Sequence, residues 1–235
     1  MIEKYLAFDI WSLYGHFKKP YTTTSPLTYS VPTRTAITGI IAAMIGLDKN
    51  EYCKHFTKKK AKIGVCIKNP IKKVRISENF INTKKSLTKI HERSQIKVEY
   101  LKDSCYRIYF SHEDEKIYDK LKDVLKNHNS VYTISMGLSE NLANYKFVGE
   151  FQGDEVTDNN EFVEISSILP LTGINKGDIV FEDGKEYFTE TIPLEMDETR
   201  HVKEYGEVLF ERNSKEIKAC IKSYISFSNE NITII

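Results

Sequence analysis

Between Lys4 and Ile10 apolar and polar residues alternate, placing Leu6, Phe8 and Ile10 on one face, the period-two signature of a strand. Residues 11–31 lose that order and read as a long loop rich in aromatics, threonine and proline. Pro32 opens a helix in which Ile37, Ile40, Ile41, Met44 and Ile45 recur at helical spacing, and Gly46 suits its C-terminal cap. Strand patterns return over Lys62–Ile67 and Val74–Ile76, and again over Gln95–Leu101 and Tyr106–Phe110. A second helix is predicted over Lys116–Lys126, with Ile117, Leu121, Val124 and Leu125 on its inner stripe. Val131–Met136 and Tyr145–Phe151 read as further strands.

The order β-α-β-β-α-β is that of a ferredoxin-like sheet. Ser77–Ser94 is weakly apolar and basic, so it is expected as a hairpin extending between the middle strands. Asp154–Glu161 is a polar, acidic break. Beyond it come short strand-like runs at Phe162–Leu169, Asp178–Phe181, Tyr187–Ile192, Val208–Phe210 and Ile217–Phe227, with no clear helix. The expected fold class is α+β: a ferredoxin-like domain over residues 1–153 with a protruding basic hairpin at about 76–98, and a β-rich part over 154–235.

Charge adds what the apolar pattern cannot. The 235 residues carry 34 basic and 33 acidic side chains, but the first 102 hold 20 basic against 7 acidic, and the rest hold 14 against 26. Such a split suggests one face for a polyanion and a separate acidic part, unless the charges merely decorate two solvated faces. The longest apolar run, Ala36–Leu47, is about half of what a bilayer crossing requires, and Glu3, Lys4 and Asp9 break any signal-peptide layout. A soluble cytoplasmic protein without membrane contact is expected. Cys53, Cys66, Cys105 and Cys220 form no C-x-x-C, so reduced packed thiols are the better reading than zinc.

No G-x-S-x-G, H-E-x-x-H or phosphate-loop motif occurs, and His16, His55, His91, His112, His128 and His201 lack metal-ligand spacing. No cofactor or metal is expected. Phe8–Leu47 is the informative segment: an aromatic loop with Lys18 and Lys19, then a helix whose first turn offers Thr33, Arg34 and Thr35. A helix start presents free N–H groups to a phosphate, Arg34 can add a bidentate clamp, and Tyr21 and Tyr29 can stack on unpaired bases. Equally, Tyr29 and Pro32 can wedge the loop while Arg34 pairs with a carboxylate; residue types alone leave the two readings even. Arg75, Lys84, Lys85, Lys89, His91, Arg93 and Lys97 make the second segment either an arm along a phosphate backbone or a lysine-decorated edge that blocks aggregation.

KKPYTTTSPLTY followed by PTRTAITGIIAAMIGL resembles the CRISPR-associated fifth Cas family of the RAMP superfamily, in its type I-B branch. QIKVEYLKDSCYRIYFSH (Gln95–His112) and MGLSENLANYKFVGEF (Met136–Phe151) are similar to that branch too. The likeness covers roughly residues 4–152 well and the remainder loosely. It implies a ferredoxin-like domain, a thumb-like hairpin and a smaller β-rich part. It also implies a Cascade subunit that grips the 5′ handle of crRNA, caps the filament of backbone subunits and contacts the large subunit. By motif position Lys18, Lys19, Tyr21, Tyr29, Arg34 and Thr35 become handle contacts, the thumb falls at about 76–98, and Gly137 marks a tight turn near the RNA face. The glycine-rich loop of many relatives is reduced here to Gly173 and Gly177. One branch of the family cleaves repeat RNA with a tyrosine, a lysine and a histidine. Here the only adjacent Lys-His pair, Lys54-His55, does not align with that site, and a separate endonuclease is expected to cut. The competing reading is a metal-independent endoribonuclease using His16, His91 or His112.

Overall fold

The structure, a computed structural model, describes residues 2–235 apart from 23, 85–87, 91, 173, 175 and 176. The chain opens with β1 (Ile2–Gly15), crosses in α1 (Arg34–Ile45), passes a short 3-10 turn (Tyr52–Lys54) and returns in β2 (Ala61–Ile67). The hairpin β3 (Lys72–Ile81) and β4 (Arg93–His112) follows, then α2 (Glu115–Asn127) and β5 (Asn144–Thr157). These strands, with β12 (Ser223–Ser226) and β13 (Asn231–Ile232), make one antiparallel sheet in the order β13-β12-β5-β1-β4-β2, and β3 pairs only with β4. Two three-stranded sheets complete the α+β fold. One orders β7 (Leu169–Pro170), β10 (Val202–Glu211) and β9 (Tyr187–Met196); the other orders β6 (Phe162–Ile165), β11 (Ile217–Cys220) and β8 (Ile179–Val180).

Both helices form where local signals demand them. The Thr33 hydroxyl accepts from Ala36 N at the start of α1, and Gly46 at φ +72 closes its end. Asp114 caps α2 by accepting from Lys116 N. Ile37, Ile41, Met44 and Ile45 of α1 and Leu121 and Leu125 of α2 bury against Leu6, Phe8 and Ile10 of β1 in the main core. Each such side chain contributes about 1.5–3 kcal/mol of burial. A second cluster lies around Tyr5, Tyr109 and Ile225, where Tyr109 and Phe227 stack at 4.9 Å between ring centroids. Among the described residues no helix is long and apolar enough to cross a membrane.

Several expected boundaries move. Trp11–Gly15, expected as loop, continues β1 because residues 101–105 of β4 pair along it. The two strands expected at Gln95–Leu101 and Tyr106–Phe110 are one 20-residue strand, and Asp103 at φ +52 lets the backbone pass through the polar Lys102-Asp103 step. Residues 131–136 form no strand. Val131 N and Tyr132 N instead donate to Met44 O and Ala43 O in the last turn of α1. β5 runs through Asp154 to Thr157, where a break was expected.

Arg34 joins four remote segments. Its guanidinium, 1% exposed, donates to the main-chain oxygens of Phe56 (2.9 Å), Ala61 (2.8 Å), Leu194 (3.2 Å) and Ile235 (3.0 Å). Gly137 makes the other close approach: at φ +90, a Cβ there would lie 1.9 Å from His16 O.

Two predictions follow from these contacts. Arg34→Met leaves four buried acceptors without a donor and should cost about 3–5 kcal/mol in urea unfolding. Arg34→Lys should recover only part of that, since an ammonium cannot reproduce the planar fork. An unchanged urea midpoint for Arg34→Met would refute the structural role. Gly137→Ala should lose about 2–4 kcal/mol in the same assay through backbone strain and displacement of the His16 carbonyl. A wild-type midpoint for that variant would mean the 16–17 and 136–137 segments are not in contact.

Candidate nucleic-acid interface

Residues 16–31 double back on themselves. Tyr29 N donates to Phe17 O and Lys19 N to Leu27 O, while the Thr28 hydroxyl accepts from Phe17 N. The turn between them carries Tyr21, 73% exposed. The returning arm lies along β4: Glu99 N donates to Pro26 O, and the Ser25 hydroxyl donates to Lys97 O. The aromatic loop and the base of the β3–β4 hairpin therefore form one continuous surface.

Two carboxylates hold this surface. Glu190, on β9, accepts from Ser30 N (2.8 Å), from the Ser30 hydroxyl (2.9 Å) and from the Lys19 ammonium (3.0 Å), with Lys73 Nζ at 3.6 Å. Tyr106 donates its hydroxyl hydrogen to Ser30 O, so every polar group of Ser30 is bonded. Glu99 lies 3.6 Å from both Lys73 Nζ and Arg75 Nε.

The candidate residues separate accordingly. Lys18 and Tyr21 face solvent and lie together on the loop. Lys19 does not: its side chain is 15% exposed, paired with Glu190, and its ammonium sits 5.2 Å over the Tyr29 ring. Tyr29 is corrected from a stacking platform to a core residue, 2% exposed, its phenol pushed up to about 12 by burial. Arg34 is corrected from a phosphate clamp to the buried staple already described; burial lowers it to about 10, and it stays charged at neutral pH. Thr35 is half-buried beside it, hydroxyl to hydroxyl with Thr33. On the hairpin, Arg75, Lys84, Lys89 and Arg93 are exposed, whereas Lys85 and His91 fall outside the described residues. Gly137 packs on the His16 main chain, at the edge of the loop.

Two of the candidate histidines, His16 and His112, are engaged in structure. His16 is buried and donates from Nδ1 to Glu99 O at 2.7 Å. His112 accepts from Asp114 N at Nδ1 and donates from Nε2 to His55 O, so the main chain fixes one neutral tautomer. Lys54 pairs with Glu198. Among the described residues no cluster of three His, Cys, Asp or Glu is arranged for a metal.

Sequence reasoning missed Glu99, Lys73 and Glu190. Glu99 had a signal, because it continues the Lys97–Leu101 alternation opposite Arg75. Glu190 had none, since it meets Ser30 across 160 residues of chain.

A family profile described as CRISPR-associated protein (Cas_Cas5) matches residues 5–208. No curated protein sequence is significantly similar. Among solved structures, a CRISPR protein from Archaeoglobus fulgidus shares 13% identity at TM-score 0.58, covering 99% of this chain and 98% of that one. A chain of a CRISPR RNA-guided surveillance complex shares 12% identity at TM-score 0.53, covering 92% and 91%. A chain of a Type III-B Cmr-beta complex bound to cognate target RNA shares 13% at TM-score 0.54, covering 90% and 86%. At these identities the likeness is one of fold.

Proposed function

The chain belongs to the Cas5 family of CRISPR-associated proteins, and we propose that it is a non-catalytic, RNA-binding subunit of a type I-B Cascade complex. In this reading it grips the 5′ handle of crRNA, caps the filament of backbone subunits and contacts the large subunit, in the cytoplasm. The observation that carries the reading is the junction of loop and hairpin. The loop that carries Lys18 and Tyr21 meets the hairpin strand that carries the exposed Lys97 and Arg93, through Ser25 at Lys97 O and Pro26 O at Glu99 N. Cations for phosphates beside an exposed ring for a base suit a single strand.

Topology supports the same reading. β4 lies between β1 and β2, and β5 flanks β1, as in a split βαβ arrangement of the ferredoxin-like kind, with β3–β4 where a thumb would project. The non-catalytic assignment is supported by His112, whose two ring nitrogens are bonded to main chain, and by His16, whose Nδ1 is bonded to Glu99 O. These bonds occupy ring nitrogens that a general acid or base would need free.

Affinity purification of the tagged chain from its host should bring down crRNA with the 5′ handle, together with the backbone and large subunits. The purified chain should leave labelled repeat RNA intact in EDTA. Metal-independent cleavage abolished by one histidine substitution would instead establish the endoribonuclease reading.

A further inference from the structure

The hairpin register sorts its charges onto two faces. On one face Lys73 lies opposite Leu101 and Arg75 opposite Glu99, and both cations reach carboxylates. On the other face Lys72 lies directly opposite Lys102, and among the described residues neither makes an ion pair. Like charges directly opposed across a sheet destabilise it. The side chains start from backbones about 5 Å apart, so both ammonium groups can converge on one anion.

The backbone under this pair is fixed on both sides. Just before Lys72, Ile71 N donates to Arg212 O, and Arg212 Nε donates to Ile71 O. Just after Lys102, Asn69 Nδ2 donates to Asp103 O, and Lys68 N donates to Cys105 O. Lys102 is flanked on its other side by Tyr14 of β1, whose ring meets Tyr100 edge-on at 6.0 Å. Lys72 is exposed, and Lys102 and Tyr14 are half-buried. Two unneutralised cations on a rigid base, next to a tyrosine, contrast with the neutralised face behind them.

We propose that Lys72 and Lys102 form a phosphate-binding site for the ribose-phosphate backbone of single-stranded RNA, with Tyr14 beside it. The site deepens the RNA-binding reading and rests on it. The pair lies on the opposite face of the hairpin from Lys97, five residues along β4 from it, and is a contact separate from the loop junction. Glu99 and Glu190 serve the same selectivity by withdrawing Lys19, Lys73 and Arg75 from the free positive field.

The test is fluorescence anisotropy of the full chain with labelled oligouridine and with repeat RNA from the host's own array, across a salt series. Lys72→Met and Lys102→Met should each flatten the slope of log affinity against log salt by about 0.7, the value for one phosphate contact on a single strand. Lys120→Met, on the exposed side of α2, removes the same charge and should leave the slope unchanged. Glutamine versions of both lysines, with thermal melts, separate loss of contact from loss of folding. If the wild type binds neither RNA, both the proposed function and this site are wrong. If it binds and the folded variants keep its slope, the site alone is wrong. Variants that keep the slope but lose a protein subunit in the pull-down would make the pair a protein contact and overturn the proposal.

Discussion

Arg34 carries a full positive charge into a site that is 1% exposed and directs its hydrogen bonds to main-chain oxygens. Removing a guanidinium from water costs several kcal/mol, and charge-assisted hydrogen bonds to oxygens fixed in the right plane are what offset it. Burial pulls its pKa down while the fields of Glu195 and Glu204 push the other way, and the group stays protonated. The oxygens belong to the start of β2, the turn before it, β9 and the end of the described chain. Arginine suits the place because its planar fork presents five donors in set directions.

The loop surface depends on this staple at one remove. Leu194 and Glu190 lie on the same strand, so the bond that fixes β9 to the first turn of α1 also places the Glu190 carboxylate against Ser30. Glu190 then holds Lys19, and Lys19 covers Tyr29. Residues that resemble ligand contacts in the motif thus form an inner layer. They orient Lys18 and Tyr21, the two members left facing water. The motif is long because the framework and the contacts are interleaved within it.

That layering explains what could be read from the sequence. The helices were legible to within about two residues, since the apolar period and Gly46 are local signals, although α1 starts at Arg34 with Thr33 as its cap and not at Pro32. The hairpin was legible as a basic, weakly apolar stretch, and β3 and β4 pair through it from Lys72–Lys102 to Ile81–Arg93. Arg34 and Tyr29 were not legible as core residues. Their partners lie at Leu194, Ile235 and β9, and no window around residue 30 contains them. Residues 131–136 alternate like a strand, but the backbone N–H groups of Val131 and Tyr132 go to the end of α1, while Ile134 and Met136 bond to residues 141–143 and to His16, a choice that tertiary structure makes.

The charge split along the chain has a related resolution. Its basic and acidic parts do not simply face water on separate sides. Lys19 and Lys73 meet Glu190, Lys54 meets Glu198, Lys58 meets Glu204 and Lys62 meets Glu155, each a lysine from the first 102 residues held by a glutamate from the rest. Exposed pairs of this kind contribute little stability one by one, about 0–1 kcal/mol. Their larger effect is on the field: each removes one cation from the set that a polyanion can use. Lys18 on the loop and Lys72, Lys97 and Lys102 on the hairpin are among the cations that this pairing leaves without a carboxylate among the described residues. The composition therefore states how much charge is available, and the cross-chain pairing decides which part of it can select a ligand.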